Sequence, residues 1–126
     1  MSSANANRKP VAGHVPNVGD VIWFDGGPTE GHEQDYYRPW ICISDQRFND
    51  ASGMVACVPC TTTVKGNQWE IPIEGLPQPT ASLWTQPRTI DWRARGAEYF
   101  GETVSQDVLG RIRLRIARLY GIPTLK

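Results

Sequence analysis

The alternation of apolar and polar residues along the chain predicts a series of short β-strands. In the run 19–25, Val21 and Trp23 alternate with other apolar residues, so both faces of this strand should be partly covered. Further runs of the same type lie at 39–45, 54–60, 68–73, 81–85 and 97–104. Turns rich in Gly, Asn and Pro separate them, which favours a mainly antiparallel β structure.

The pattern is less clear at three places. Residues 49–53 are polar and predict a turn between the second and third strands. Residues 88–95 lie between the last two strands and predict a connecting stretch. Pro72 lies inside the fourth strand, and because proline has no backbone N–H it favours an edge position or a bulge there.

One long helix is predicted near the C-terminus. Ser105 suits its N-cap, Asp107 its first turn and Gly121 its C′ position. The apolar residues at helical spacing, which should pack on the sheet, are Val108, Ile112, Ile116 and Leu119. The arginines on a different face are Arg111, Arg115 and Arg118. Short strands with one terminal helix favour a small, strongly bent antiparallel barrel, with an open α+β sheet as the alternative.

Length and composition predict one domain with a substantial core. The chain has 126 residues, and 40% of them are hydrophobic. Residues 1–14 are polar and have no apolar segment of their own, so we expect a flexible arm before a single domain at 15–126, and no secretory signal. No apolar run approaches the roughly 18 residues of a membrane span. These features predict a cytoplasmic protein without membrane contact.

The charge distribution is uneven although the net charge is zero. A neutral chain argues against a strongly cationic nucleic-acid binder. Residues 88–118 nevertheless carry seven arginines against four acidic residues, which could attract phosphate. The alternative is an ordinary solvated face.

The three cysteines do not form a complete metal-binding pattern. Cys57 and Cys60 have CxxC spacing, but no second CxxC or His pair supplies the other ligands of a structural zinc. They lie in a run of strand type rather than at the start of a helix, where a redox pair is typical. The sequence therefore predicts buried strand cysteines, with metal or redox chemistry as the weaker alternative.

The segment 31–38 combines the side chains needed for proton transfer beside a phosphate. His32 or Glu33 can transfer a proton near neutral pH, and Arg38 can bind a phosphate with paired donors. The alternative is a polar hairpin loop followed by an ordinary arginine at a strand start.

These segments resemble the MazF/PemK/Kid family of toxin endoribonucleases. The similarity runs from about residue 15 to residue 120, in the family's order and spacing, and rests on residues 15–23, 28–34, 38–39, 57–62 and 92–96. It implies an SH3-like, CcdB-type barrel that forms a homodimer. It also implies sequence-specific cleavage of single-stranded RNA without a metal or other cofactor, and neutralisation by a MazE-like antitoxin.

The resemblance also implies a catalytic set. In the MazF branch the catalytic arginine and threonine correspond to Arg38 and Thr61. The Kid branch instead uses the histidine at His32, together with an arginine and an aspartate at positions that Leu83 and Thr85 occupy here. Because that second set is incomplete, we expect Arg38 and Thr61 to be the main pair.

The proton-transfer and RNA-binding roles are assigned to other residues of the same segments. Glu33 or His32 is expected to be the base, with the other orienting it or acting as the acid, although Glu33 could instead brace its loop. The candidate RNA contacts are Gln34, Lys65, Trp69 and Gln86. Two rival functions remain open, a CcdB-like gyrase-binding toxin without nuclease activity and a non-catalytic SH3-like adaptor.

Overall fold

The computed structural model describes residues 5–27 and 36–124, and in them seven strands and two helices form. In chain order they are β1 (Asp20–Asp25), β2 (Tyr37–Cys42), α1 (Gln46–Ser52), β3 (Met54–Thr61), β4 (Ile71–Ile73), β5 (Thr80–Ser82), β6 (Arg88–Asp91), β7 (Glu98–Thr103) and α2 (Gln106–Leu119). All strand pairs are antiparallel, in the order β4-β5-β3-β2-β1-β7, with β6 on β3. This half-barrel sheet with a C-terminal helix confirms the predicted fold class.

Apolar side chains cover both faces of the central strands. On the face that packs against α2, the core includes Val21, Trp23, Ile41, Val58, Leu109, Ile112 and Ile116. On the other face it includes Ile22, Phe24, Trp40, Cys42, Val55, Cys57 and Ile90. This double burial explains why β1 has apolar residues at successive positions rather than at every second one.

The ends of α2 confirm the predicted capping residues. The Ser105 hydroxyl accepts from the Val108 N–H at 3.1 Å, and Gly121 follows the helix with φ 71°. The prediction of a buried Leu119 is wrong, since 48% of it is exposed. At about 100° per residue the buried stripe runs from Leu109 through Ile116 to Ile112, and Leu119 lies just beyond Ile112, in the last turn of the helix.

The predicted polar turn at 49–53 is wrong, because residues 46–52 form α1. The Asp45 carboxylate caps this helix by accepting from the Arg47 N–H at 2.7 Å. Gly53 ends it with φ 74°. The polar composition of residues 49–53 predicts a turn, whereas the capping residues Asp45 and Gly53 indicate the helix.

The region after β3 also differs from prediction. Residues 88–91 were predicted as part of a connection, but they form β6. Ile90 is the only buried residue of this strand, so its sequence shows no clear alternation of apolar and polar positions. Strand β4 spans Ile71–Ile73, less than the predicted 68–73. Within the described residues β4 pairs with β5 on one side only, which confirms the edge position predicted from Pro72.

Part of the predicted N-terminal arm lies against β7. The backbone N–H of Val11 donates to the Tyr99 carbonyl at 2.8 Å. The Arg8 guanidinium forms an ion pair with Glu102 at 2.9 Å. These contacts join residues from outside the predicted domain to an edge of the sheet.

Replacing Ile112 with alanine is expected to destabilise the fold by about 2–5 kcal/mol, because it leaves a cavity between α2 and the sheet. Ile112 is fully buried in the core. Chemical denaturation measures the loss. Arg113→Ala, at an exposed position of the same helix, is the matched control, and an equal loss in both variants would contradict the assigned helix orientation.

Candidate active site

Arg38 and Thr61 lie on the neighbouring strands β2 and β3. The pairing of these strands ends at Trp40 and Pro59, so Arg38 and Thr61 each lie two residues beyond the last pair, at the same end of the two strands. Both side chains are half-buried. Burial raises the pKa of the adjacent Cys60 thiol, and the Arg38 charge opposes that rise. The two predicted catalytic residues therefore lie at the same end of two paired strands.

A small arginine pocket surrounds Arg38. It has a volume of about 150 Å³ and is lined by Gly26, Tyr36, Arg38, Trp40, Pro59, Gln86 and Arg88. Arg88 donates to the Gly26 carbonyl at 2.7 Å, and its guanidinium lies 5.5 Å from the centre of the Trp40 ring. Two guanidinium groups in one pocket favour an anion with several oxygen acceptors, such as a phosphate.

Glycine is required at the wall of this pocket. A Cβ atom at Gly26 would overlap the Trp40 ring, and one at Gly27 would overlap the Tyr36 ring. The Gly26 N–H donates to the Tyr36 carbonyl at 3.2 Å. The backbone and the two aromatic rings thus pack in direct contact, which holds the entrance to β2 and Arg38 in place.

A larger tryptophan pocket adjoins Thr61. Its volume is about 340 Å³, and its lining includes Thr61, Thr63, Lys65, Asn67, Trp69 and Gln86. Trp69 is 52% exposed, and its ring centre lies 6.1 Å from that of the buried Trp84. An exposed indole beside amide, hydroxyl and ammonium groups suits a stacked nucleobase with its phosphate.

Gln86 lines both pockets. The arginine pocket and the tryptophan pocket are therefore neighbours along the sheet surface. One chain of nucleotides could place a phosphate in the first and a base in the second. This arrangement can position RNA and stabilise negative charge on a phosphate.

Glu70 braces the connection that forms the tryptophan pocket. Its carboxylate is almost fully buried and accepts from the backbone N–H groups of Lys65, at 3.0 Å, and Gly66, at 2.9 Å. Asn67 accepts from the Trp69 N–H at 2.9 Å. These bonds fix the backbone from which Lys65 and Trp69 project.

Glu70→Gln is expected to lower the free energy of unfolding by about 1–3 kcal/mol, because a neutral amide replaces a charged, buried acceptor of two backbone N–H groups. RNA affinity should fall as well, since the same bonds hold the pocket in shape. Denaturation and RNA titration measure the two effects. Glu74→Gln, at an exposed carboxylate, is the control, and an indistinguishable result there would refute the bracing role.

Comparison with known proteins assigns the chain to a family. The description "PemK-like, MazF-like toxin of type II toxin-antitoxin system" matches residues 17–120. The chain belongs to this family. It is 41% identical to the endoribonuclease toxin MazF of Escherichia coli K12 over 111 residues, 88% of this chain and 99% of that protein.

Solved structures of the same family share the fold. MazF of Deinococcus radiodurans is 31% identical with a TM-score of 0.77, and the match covers 86% of this chain and 99% of that one. A chain of the MazE–MazF complex from the same organism is 27% identical with a TM-score of 0.76, covering 87% and 100%. The resemblance to MazF and PemK toxins noted in the sequence is thereby confirmed.

The structure places five of the eight predicted site residues of this toxin-family chain. Arg38 and Gln86 line the arginine pocket, and the tryptophan pocket adds Thr61, Lys65 and Trp69. The remaining three lie outside the described residues, namely His32, Glu33 and Gln34.

Sequence reasoning missed Arg88 and Asn67 as lining residues of the two pockets. Arg88 begins β6, a segment that the sequence predicted as a connection, so the direction of its side chain could not be predicted. Asn67 lies in a turn, where sequence gives no direction for the side chain.

The cysteines are buried in β2 and β3, as predicted, and none forms a disulfide. Burial raises the pKa of Cys57 to about 12 and that of Cys42 well above its usual range. Such thiols are poor nucleophiles and poor ligands near neutral pH. Among the described residues, no group of three or more His, Cys, Asp or Glu side chains is placed to hold a metal.

No helix in residues 5–27 and 36–124 is both long and apolar enough to cross a membrane.

Proposed function

We propose that this protein is an endoribonuclease toxin that cuts single-stranded RNA at specific sequences without a metal ion. The observation that supports it most strongly is the placement of Arg38 and Thr61 at the same end of β2 and β3, each in the lining of one of two adjoining pockets. The chain's family membership and its similarity to an endoribonuclease MazF support the same reaction. A gyrase-binding function of the CcdB type is not favoured, because the family that matches is that of PemK and MazF.

In the proposed reaction the RNA supplies its own nucleophile, the 2′-OH group next to the scissile phosphate. Glu33 or His32 takes the proton from this hydroxyl, and the other orients the base or protonates the leaving 5′-oxygen. The 2′-oxygen attacks phosphorus, the bond to the 5′-oxygen breaks, and the products carry a 2′,3′-cyclic phosphate and a 5′-OH. Hydrolysis of the cyclic product would leave a 3′-phosphate.

Arg38 and Thr61 stabilise the charge that develops on phosphorus. The Arg38 guanidinium binds two non-bridging oxygens, and it gives the site a positive charge that does not depend on pH. The Thr61 hydroxyl accepts from the Thr63 N–H at 3.0 Å, so its own proton remains available to donate to a phosphate oxygen. Gln86, Lys65 and Trp69 then hold the neighbouring nucleotides, with Gln34 as a further contact.

A homodimer and an antitoxin complete the proposal. At the end of α2 and just beyond it, Leu119, Tyr120 and Ile122 expose large apolar surfaces, which a second copy could cover. The similarity to a MazE–MazF complex supports neutralisation by a MazE-like antitoxin. An acidic, disordered segment that folds on binding would suit the cationic pockets. In this proposal residues 15–126 form the single toxin domain.

The test compares RNA and gyrase as targets. The purified protein is incubated with a long unstructured RNA in the presence of EDTA, and in parallel with gyrase and supercoilable plasmid. Cleavage of the RNA into fragments with 5′-OH ends is expected, with unchanged supercoiling. Intact RNA with inhibited gyrase would instead support the CcdB-type function, and intact RNA with normal gyrase would support the adaptor.

A further inference from the structure

Three arginines of α2 form a cationic row beside the tryptophan pocket. Arg111, Arg115 and Arg118 follow one another at spacings of four and three residues, so they share one face of the helix. Arg111 and Arg118 are exposed, and Arg115 is half-buried. We call these three residues the arginine row.

Arg115 joins this row to the tryptophan pocket. Its guanidinium donates to the Gln68 carbonyl at 3.4 Å and lies 5.8 Å from the centre of the Trp84 ring. Trp84 in turn packs against Trp69 of the pocket. A strand of RNA that leaves the pocket past Trp69 would therefore meet positive charge on α2.

The row's charge is not neutralised within the part of the chain that the structure describes. No carboxylate there lies within ion-pair distance of the three guanidinium groups. Asp107 and Glu74 share a groove with Arg111, but neither forms an ion pair with it. The only acidic residue of α2 is Asp107 in its first turn.

We infer that the arginine row binds the phosphate backbone of RNA that flanks the cleavage site, an inference that rests on the proposed endoribonuclease function. Charge complementarity and continuity with the tryptophan pocket favour single-stranded RNA over an acidic peptide. Guanidinium groups bind phosphate oxygens through paired donors, and exposed arginines along one helix face can follow a flexible strand. The row would thus add affinity for long RNA without changing the bond that is cut.

The test uses oligonucleotides with 2′-O-methyl groups, which bind without being cleaved. A short one of about 8 nucleotides covers the two pockets, and a long one of about 30 extends beyond them. The variant Arg111→Ala/Arg118→Ala removes two charges from the row. The control Arg47→Ala/Arg113→Ala removes two exposed charges elsewhere, one on α1 and one on a different face of α2.

The row variant is expected to bind the long oligonucleotide more weakly, with affinity for the short one unchanged. The slope of log affinity against log salt for the long oligonucleotide should become shallower by about 1.4, since each phosphate contact on a single strand contributes about 0.7. The control variant should match the wild type on both oligonucleotides. Circular dichroism checks that all variants are folded.

Each other outcome overturns the inference. If the row and control variants bind long RNA with equal affinity, the inference is refuted. If the row variant loses affinity equally for the short and the long oligonucleotide, the row lies at the cleavage site, which also refutes it. Weaker binding of poly-glutamate with unchanged RNA binding would assign the row to an acidic peptide. A wild type that binds the short oligonucleotide but cuts no RNA would refute the proposed function alone, and failure to bind either oligonucleotide would refute both.

Discussion

Arg38→Ala is expected to slow RNA cleavage by about a hundredfold or more, because the variant loses a preorganised cation at the scissile phosphate. Arg38 lines the arginine pocket and lies on β2, next to the strand that carries Thr61. A short alanine cannot reach a phosphate from that strand. Single-turnover cleavage of a fixed RNA measures the effect, with thermal denaturation as the check on folding.

Two further variants make the Arg38 result interpretable. Arg38→Lys keeps the charge but lacks the planar pair of donors, so it should recover part of the rate. Arg47→Ala removes an exposed arginine outside both pockets and should cleave like the wild type. A folded Arg38→Ala protein with the full rate would show that Arg38 is not a catalytic residue.

Thr61→Val is expected to slow cleavage by about a hundredfold, since it replaces the hydroxyl with a methyl group of similar size. The rate of the chemical step should fall more than RNA affinity, because the hydroxyl is proposed to act on developing charge. Single-turnover rates over a range of protein concentrations separate the two quantities.

The neighbouring Thr62 offers a matched control. It is exposed, lies in the same threonine run and is absent from the lining of both pockets. Thr62→Val should therefore keep the wild-type rate. If Thr61→Val and Thr62→Val slow the reaction equally, the effect belongs to the connection as a whole and not to the Thr61 hydroxyl.

The main strands and α2 could be predicted from the sequence because each carries a strong local signal. Strand β1 has a dense apolar run, and α2 has both an N-cap serine and an apolar stripe. The elements that were missed are short or exposed. In β6 a single residue, Ile90, is buried, and its pairing with β3 depends on contacts far apart in sequence.

The residues of the candidate site could be predicted from the sequence, but their arrangement in space could not. The resemblance to MazF and PemK toxins identified Arg38 and Thr61 from separate segments. Their placement at the same end of two paired strands follows from strand register, which a single sequence does not specify. Arg88 reaches the same pocket from β6, the strand whose pattern was weakest.

The central claim is that the site cuts RNA by attack of the 2′-OH next to the bound phosphate. The most direct test is to map one cleavage site and then replace the ribose on the 5′ side of that bond with 2′-deoxyribose. The account predicts that this single change abolishes cleavage there while the oligonucleotide still binds. Cleavage of the deoxy-substituted bond at an undiminished rate would contradict it.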